Sequence, residues 1–187
     1  MYNYKNNIFI KHCLNGAYTF NNDNREKQQT GENSMICFCE VLDKDKYGLS
    51  GKVVILEGQD TILQAYGLKS GRILELAGID TRLLTMFYKS MMPGIDWFIV
   101  VYDYKQFCAD PEVKEAIIWH ELGHIDHPVE RDQLSVESEI RCDELAIMRG
   151  YKEGMRRVLD MTQKMARTLN NKLLDEMTSQ RLMRISG

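Results

Sequence analysis

The residues best suited to chemistry are His120-Glu121-Leu122-Gly123-His124, an HExxH pattern inside a run that reads as one helix. Positions i and i+4 of an α-helix lie one above the other on the same face, about 6 Å apart along the axis. Two imidazoles placed this way can share one zinc ion, and Glu121 then projects beside the metal where a water would lie. One residue more or fewer between them would swing a ring off the shared face.

The flanking residues must form and bury that helix. Asp110-Pro111 supplies an N-cap and a proline at the first helical position, and Glu112 follows near the positive end of the dipole. Val113, Ala116, Ile117, Ile118, Trp119, Leu122 and Ile125 cover nearly every face, which predicts a buried helix that His127-Pro128 ends. Buried imidazoles and a buried carboxylate are costly without partners, and a metal is one partner that serves all of them.

A catalytic zinc needs a third protein ligand and a fourth position left open. Val136 to Ala146 offers one on a second expected helix, where Glu139 and Asp143 stand at i and i+4. Glu139 can enter as a carboxylate ligand, and Asp143 can accept a hydrogen bond from the outer ring nitrogen of one histidine and fix its tautomer. Ala146 is small enough to let the two helices pack closely, while Glu137 and Glu144 read as exposed acidic positions. His127 continues the histidine face at i+7, but about 10 Å of axial rise separates it from His120, so only a helix break would bring it to the metal.

With both segments in view, the chain resembles the gluzincin metallopeptidases. The pairing of His120-Glu121-Leu122-Gly123-His124 with Glu139-Ile140-Arg141-Cys142-Asp143 looks like HExxH plus ExxxD, as in the HtpX-like peptidases and the minimal gluzincin cores. Cys142 stands where alanine is usual in the HtpX-like ExxAD, a small-for-small change. Arg184-Ile185 is similar to the Arg-Ile that closes the HtpX-like catalytic domain, though the preceding His-Pro is absent. The likeness covers roughly residues 96–187 and does not extend to residues 1–95, and the HtpX-like membrane helices are missing.

The resemblance implies an α+β fold: a small zincin-like domain whose short, mostly antiparallel sheet packs on the HExxH helix, followed by a helical C-terminal part. It implies a soluble zinc-dependent metallopeptidase with one Zn2+ on His120, His124 and Glu139, Asp143 behind them and Glu121 as general base. The strand Trp97 to Tyr102 would be the edge on which an extended substrate adds. Tyr104, His127, Tyr151 and Arg184 are candidates for stabilising an oxyanion. A second reading keeps the fold as a zinc-stabilised regulatory module, similar to the ImmA/IrrE-like regulators, acting on a protein partner. An intact Glu121 favours catalysis, since a purely structural site needs no general base.

The rest of the chain is consistent with one domain over residues 1–187, an N-terminal α/β part (1–95) preceding a catalytic core (96–187). Its 187 residues suffice for a core, and 44% hydrophobic with 27% charged residues is ordinary for a globular protein. A formal net charge of −3 gives no general attraction to nucleic acid, and the basic residues of 151–187 interleave with Met and Leu as a solvated helix face would. Five cysteines without framework spacing, no signal-like start and no long apolar run predict a reduced, cytoplasmic protein whose partner is a peptide or protein substrate. Cys13, Cys37 or Cys39 could cap the metal, although core packing is their commoner state.

Short strands are expected within 7–20, a polar loop over 21–34, and strands over 36–41 and 52–56 joined by a charged turn. Helical spacing over 73–91, split near Gly78 and Asp80, precedes the strong strand 97–102. After the motif helix come a helix over about 135–149 closed by Gly150 and two amphipathic helices.

Overall fold

The computed structural model describes residues 28–29, 35–66, 68–128 and 135–186. The strands expected within 7–20, and Cys13, lie outside them. In chain order the elements are β1 (Gln28–Gln29), β2 (Met35–Val41), α1 (Lys44–Tyr47), β3 (Val53–Glu57), α2 (Gln59–Ala65), α3 (Arg72–Leu76), a 3-10 turn (Thr81–Leu83), β4 (Thr85–Lys89), β5 (Trp97–Val101), α4 (Tyr104–Phe107), α5 (Pro111–Gly123), α6 (Val136–Met148), α7 (Lys152–Thr168) and α8 (Lys172–Ser186). The class is α+β. The chain divides into two compact units, one carrying the sheet (up to Gly71, and Thr85–Tyr104) and one helical (Arg72–Leu84, and from Lys105 on).

In the sheet unit the strand order is β1-β2-β3-β5-β4, and only the β3–β5 pair is parallel. The sheet is therefore mostly antiparallel, as expected. Val53, Val54, Ile55 and Leu56 are all buried, and so are Phe98 to Val101, because these two strands lie side by side in the middle of the sheet. An uninterrupted apolar run is what a strand covered on both faces requires.

That position corrects one expectation. Trp97–Val101 is hydrogen-bonded to β3 on one side and to β4 on the other, so it is no edge on which a substrate strand could add. A second correction concerns residues 73–91. Arg72–Leu76 is helical, but Thr85–Lys89 is a strand antiparallel to β5, with Phe87 stacked on Trp97 at 4.9 Å between ring centroids. Leu83, Leu84, Met86 and Phe87 fit helical spacing, yet Thr85, Phe87 and Tyr88 suit a pleated surface and the pairing with β5 decides. Within the expected loop 21–34, Gln28–Gln29 pairs antiparallel with Met35 and Ile36.

In the helical unit α5 is buried on almost every side. Asp110 caps it, accepting from the backbone N–H of Glu112 and Val113, and Pro111 opens the first turn. Arg157 of α7 holds that end through Asp110 Oδ2 at 2.6 Å and Glu112 Oε2 at 2.9 Å. The α-helix stops at Gly123, four residues before His127; the 3-10 bonds His124 N–H to Glu121 O and Ile125 N–H to Leu122 O tighten the exit. α6 begins on Ser135, whose hydroxyl accepts from Ser138 N–H, and closes in a Schellman turn. There Gly150 (φ 95°) and Tyr151 donate back to Ile147 O and Ala146 O.

α5 and α6 cross at Gly123. A Cβ on Gly123 would stand 2.8 Å from Cys142 Cα and 3.0 Å from its Cβ and Sγ, and a backbone atom cannot swing aside. Gly123→Ala is accordingly expected to cost about 1–3 kcal/mol as an overpacked contact. Urea denaturation of metal-free protein checks this: the midpoint should fall with the slope unchanged.

Candidate metal centre

His120 lies in the last turn of α5 and His124 caps it, so both rings stand at the negative end of that helix dipole, where a cation is favoured. α6 brings Glu139 across from them. One ligand atom from each of His120, His124 and Glu139 falls within 4.8 Å of the others. Among the described residues this is the group of His, Cys, Asp and Glu side chains arranged to hold a metal ion.

The finer geometry suits a tetrahedral site. Metal–ligand bonds of about 2.0–2.2 Å place neighbouring donors roughly 3.3–3.5 Å apart. His120 Nε2 is 3.4 Å from Glu139 Oε2, and His124 Nε2 is 3.8 Å from Glu139 Oε1. His120 Nδ1 is 2.8 Å from Asp143 Oδ1, which leaves Nε2 as the nitrogen turned toward Glu139. The two rings stand perpendicular, 5.1 Å between centroids, in an edge-to-face pair.

Behind the triad lies a residue that motif reading did not single out. Arg181 of α8 is buried, and its guanidinium grips Asp143 with two bonds of 2.8 Å (Nε to Oδ2, Nη2 to Oδ1). Its remaining nitrogen reaches Glu139 Oε2 at 3.1 Å. The signal was present in the sequence: Arg181 interrupts the buried stripe Met177, Arg181, Ile185, where an arginine needs a partner of opposite charge.

The electrostatics follow. Burial works against a charged His120, yet hydrogen bonds to Asp143 and Glu139 push its pKa up to about 10. Burial would raise Glu139, but His120, Arg181 and His124 hold it down at about 2. Asp143 is likewise lowered against burial, by Arg181 and then His120. Asp143 and Glu139 thus favour positive charge at His120, on the side where a cation would be held. Cys142 is pushed far up, by burial first and then by Glu139, Glu121 and Asp143, so it remains a thiol. Glu121 is itself buried, one residue after His120.

With neutral imidazoles, Glu139 and Asp143 carry one negative charge more than Arg181 balances, which favours a cation beside the two rings. The donor set of two imidazoles and one carboxylate fits zinc.

The other sequence candidates are placed as follows. Arg184 is mostly exposed and bonded to Glu144 Oε1 at 3.1 Å. His127 is exposed, and it is its carbonyl that lies 3.4 Å from His124 Nδ1. Tyr151 precedes α7, half-buried. Tyr104 belongs to the sheet unit, where its hydroxyl donates to Glu40 Oε2 at 2.6 Å. Cys37 and Cys39 are half-buried on β2, and the Cys39 thiol donates to the Cys37 carbonyl.

Comparisons with protein-family models, curated proteins and solved structures find no match to this chain. Among the described residues, no helix is long and apolar enough to cross a membrane.

Proposed function

We propose that His120, His124 and Glu139 hold one zinc ion and that the chain is a metallopeptidase of the gluzincin type. The observation that carries this is the convergence of these three donors within 4.8 Å, with His120 already fixed by Asp143 and Arg181 behind it. A bound zinc supplies Lewis acidity, polarising a scissile carbonyl and acidifying water toward neutral pH.

The chain's own residues do the rest. His120 and His124 present Nε2 as neutral donors, and Asp143 holds the His120 tautomer that makes this possible. Glu121 accepts the proton of the attacking water and returns it to the leaving amine. Its burial within a helix fixes where that carboxylate stands, which a proton shuttle between two partners requires.

Glu121→Gln is expected to keep the zinc content of the wild type while hydrolysis of an unfolded protein pool falls about 10²–10⁴-fold. Peptide release with and without chelator, next to elemental analysis, checks both halves. Undiminished cleavage by Glu121→Gln would remove the general-base role.

A further inference from the structure

We propose that Arg181 is the positioning residue of Glu139, occupying one carboxylate oxygen so that the metal is held through the other. This rests on the metal-centre reading above. A carboxylate that closes on a metal with both oxygens takes two coordination places. One that uses a single oxygen leaves a place open for the water that a hydrolytic site needs. The two oxygens of Glu139 stand in unlike surroundings. Oε2 accepts from Arg181 Nη1 at 3.1 Å, whereas Oε1 lies toward His124, 3.8 Å from its Nε2. Oε2 is also 3.4 Å from His120 Nε2, a spacing that two donors to one metal can have, so position alone does not choose between the oxygens. The guanidinium does, because an oxygen already bonded to one cation is the poorer donor to a second.

Arg181 is held where it can act in this way. It is buried on α8, and two of its nitrogens are committed to Asp143 at 2.8 Å each. A planar fork fixed at two points directs its third nitrogen along a set line, here to Oε2. Asp143 in turn lies 2.8 Å from His120 Nδ1, and it stands one helical turn from Glu139 on the same face of α6. One side chain thereby joins the third ligand to the residue that orients the first. A lysine carries its charge at a point, with no second arm at a fixed angle to reach Glu139 while Asp143 holds the first.

The test loads the whole chain, stripped with chelator, with cobalt(II) alone and reads its visible absorption. Four-coordinate cobalt(II) absorbs strongly there, and five-coordinate cobalt(II) more weakly. Wild type is expected to show the strong bands. Arg181→Met and Arg181→Lys should both lose them in favour of the weaker spectrum, a change in the metal's own coordination that a role in packing would not produce. Arg181→Lys keeps the buried charge, and the wild-type spectrum is decisive by itself if neither variant folds by circular dichroism. Five-coordinate bands in the wild type, or wild-type bands in either folded variant, overturn the proposal while metal binding itself stands. A wild type that takes up neither cobalt nor zinc overturns the metal centre and this inference with it.

Discussion

Glu139→Ala is expected to lose zinc that the wild-type protein retains through dialysis against metal-free buffer. Removing a ligand should weaken binding by more than the roughly 10–100-fold typical of a residue that only supports one. Two imidazoles would remain at i and i+4, enough for transient binding but short of the three protein ligands a catalytic zinc uses. Arg181 would keep its two bonds to Asp143, so the helices should stay packed and the loss should be specific to the metal. Metal stoichiometry with a circular-dichroism control measures this. Zinc content equal to the wild type would sink the assignment of Glu139.

The second large effect is on stability. Arg181→Met keeps the apolar length of the side chain but removes the guanidinium from Asp143 and Glu139, leaving His120 as the positive group shown between them. Breaking a buried pair in this way costs about 3–5 kcal/mol, because the remaining charge cannot regain water. Urea denaturation of chelator-treated protein at neutral pH should give that difference. The sign of its pH dependence is fixed by the lowered carboxylates. Their stabilising contribution is present above their ordinary pKa and is lost as pH falls toward about 2, the value of Glu139. The gap between wild type and variant should therefore narrow through that window. Arg181→Lys restores a charge but no planar fork, and should recover the stability only in part.

The helical unit was largely legible because its signals are local. The Asp110-Pro111 start, the HExxH spacing, Glu139 with Asp143, and the Gly150 stop each depend on residues within a turn or two. The sheet was less legible because pairing is not local. Thr85–Lys89 fits two periods, and only its partner strand decides between them; Trp97–Val101 showed its strength as a strand but not that it would have neighbours on both sides. Arg181 falls within the last amphipathic helix, but nothing in its own neighbourhood names Asp143 as its partner, 38 residues earlier. Cys142 was read for its volume alone, and its contact with His124 depends on how closely two helices cross.

That 38-residue separation has a consequence in time. His120 and Asp143 are only 23 residues apart, so α5 and α6 can come together early as the chain emerges or refolds. Until α8 arrives, that pair carries its carboxylates without the guanidinium, a half-built centre with surplus negative charge. On the metal-centre reading proposed above, a divalent cation and Arg181 are two answers to the same excess of negative charge.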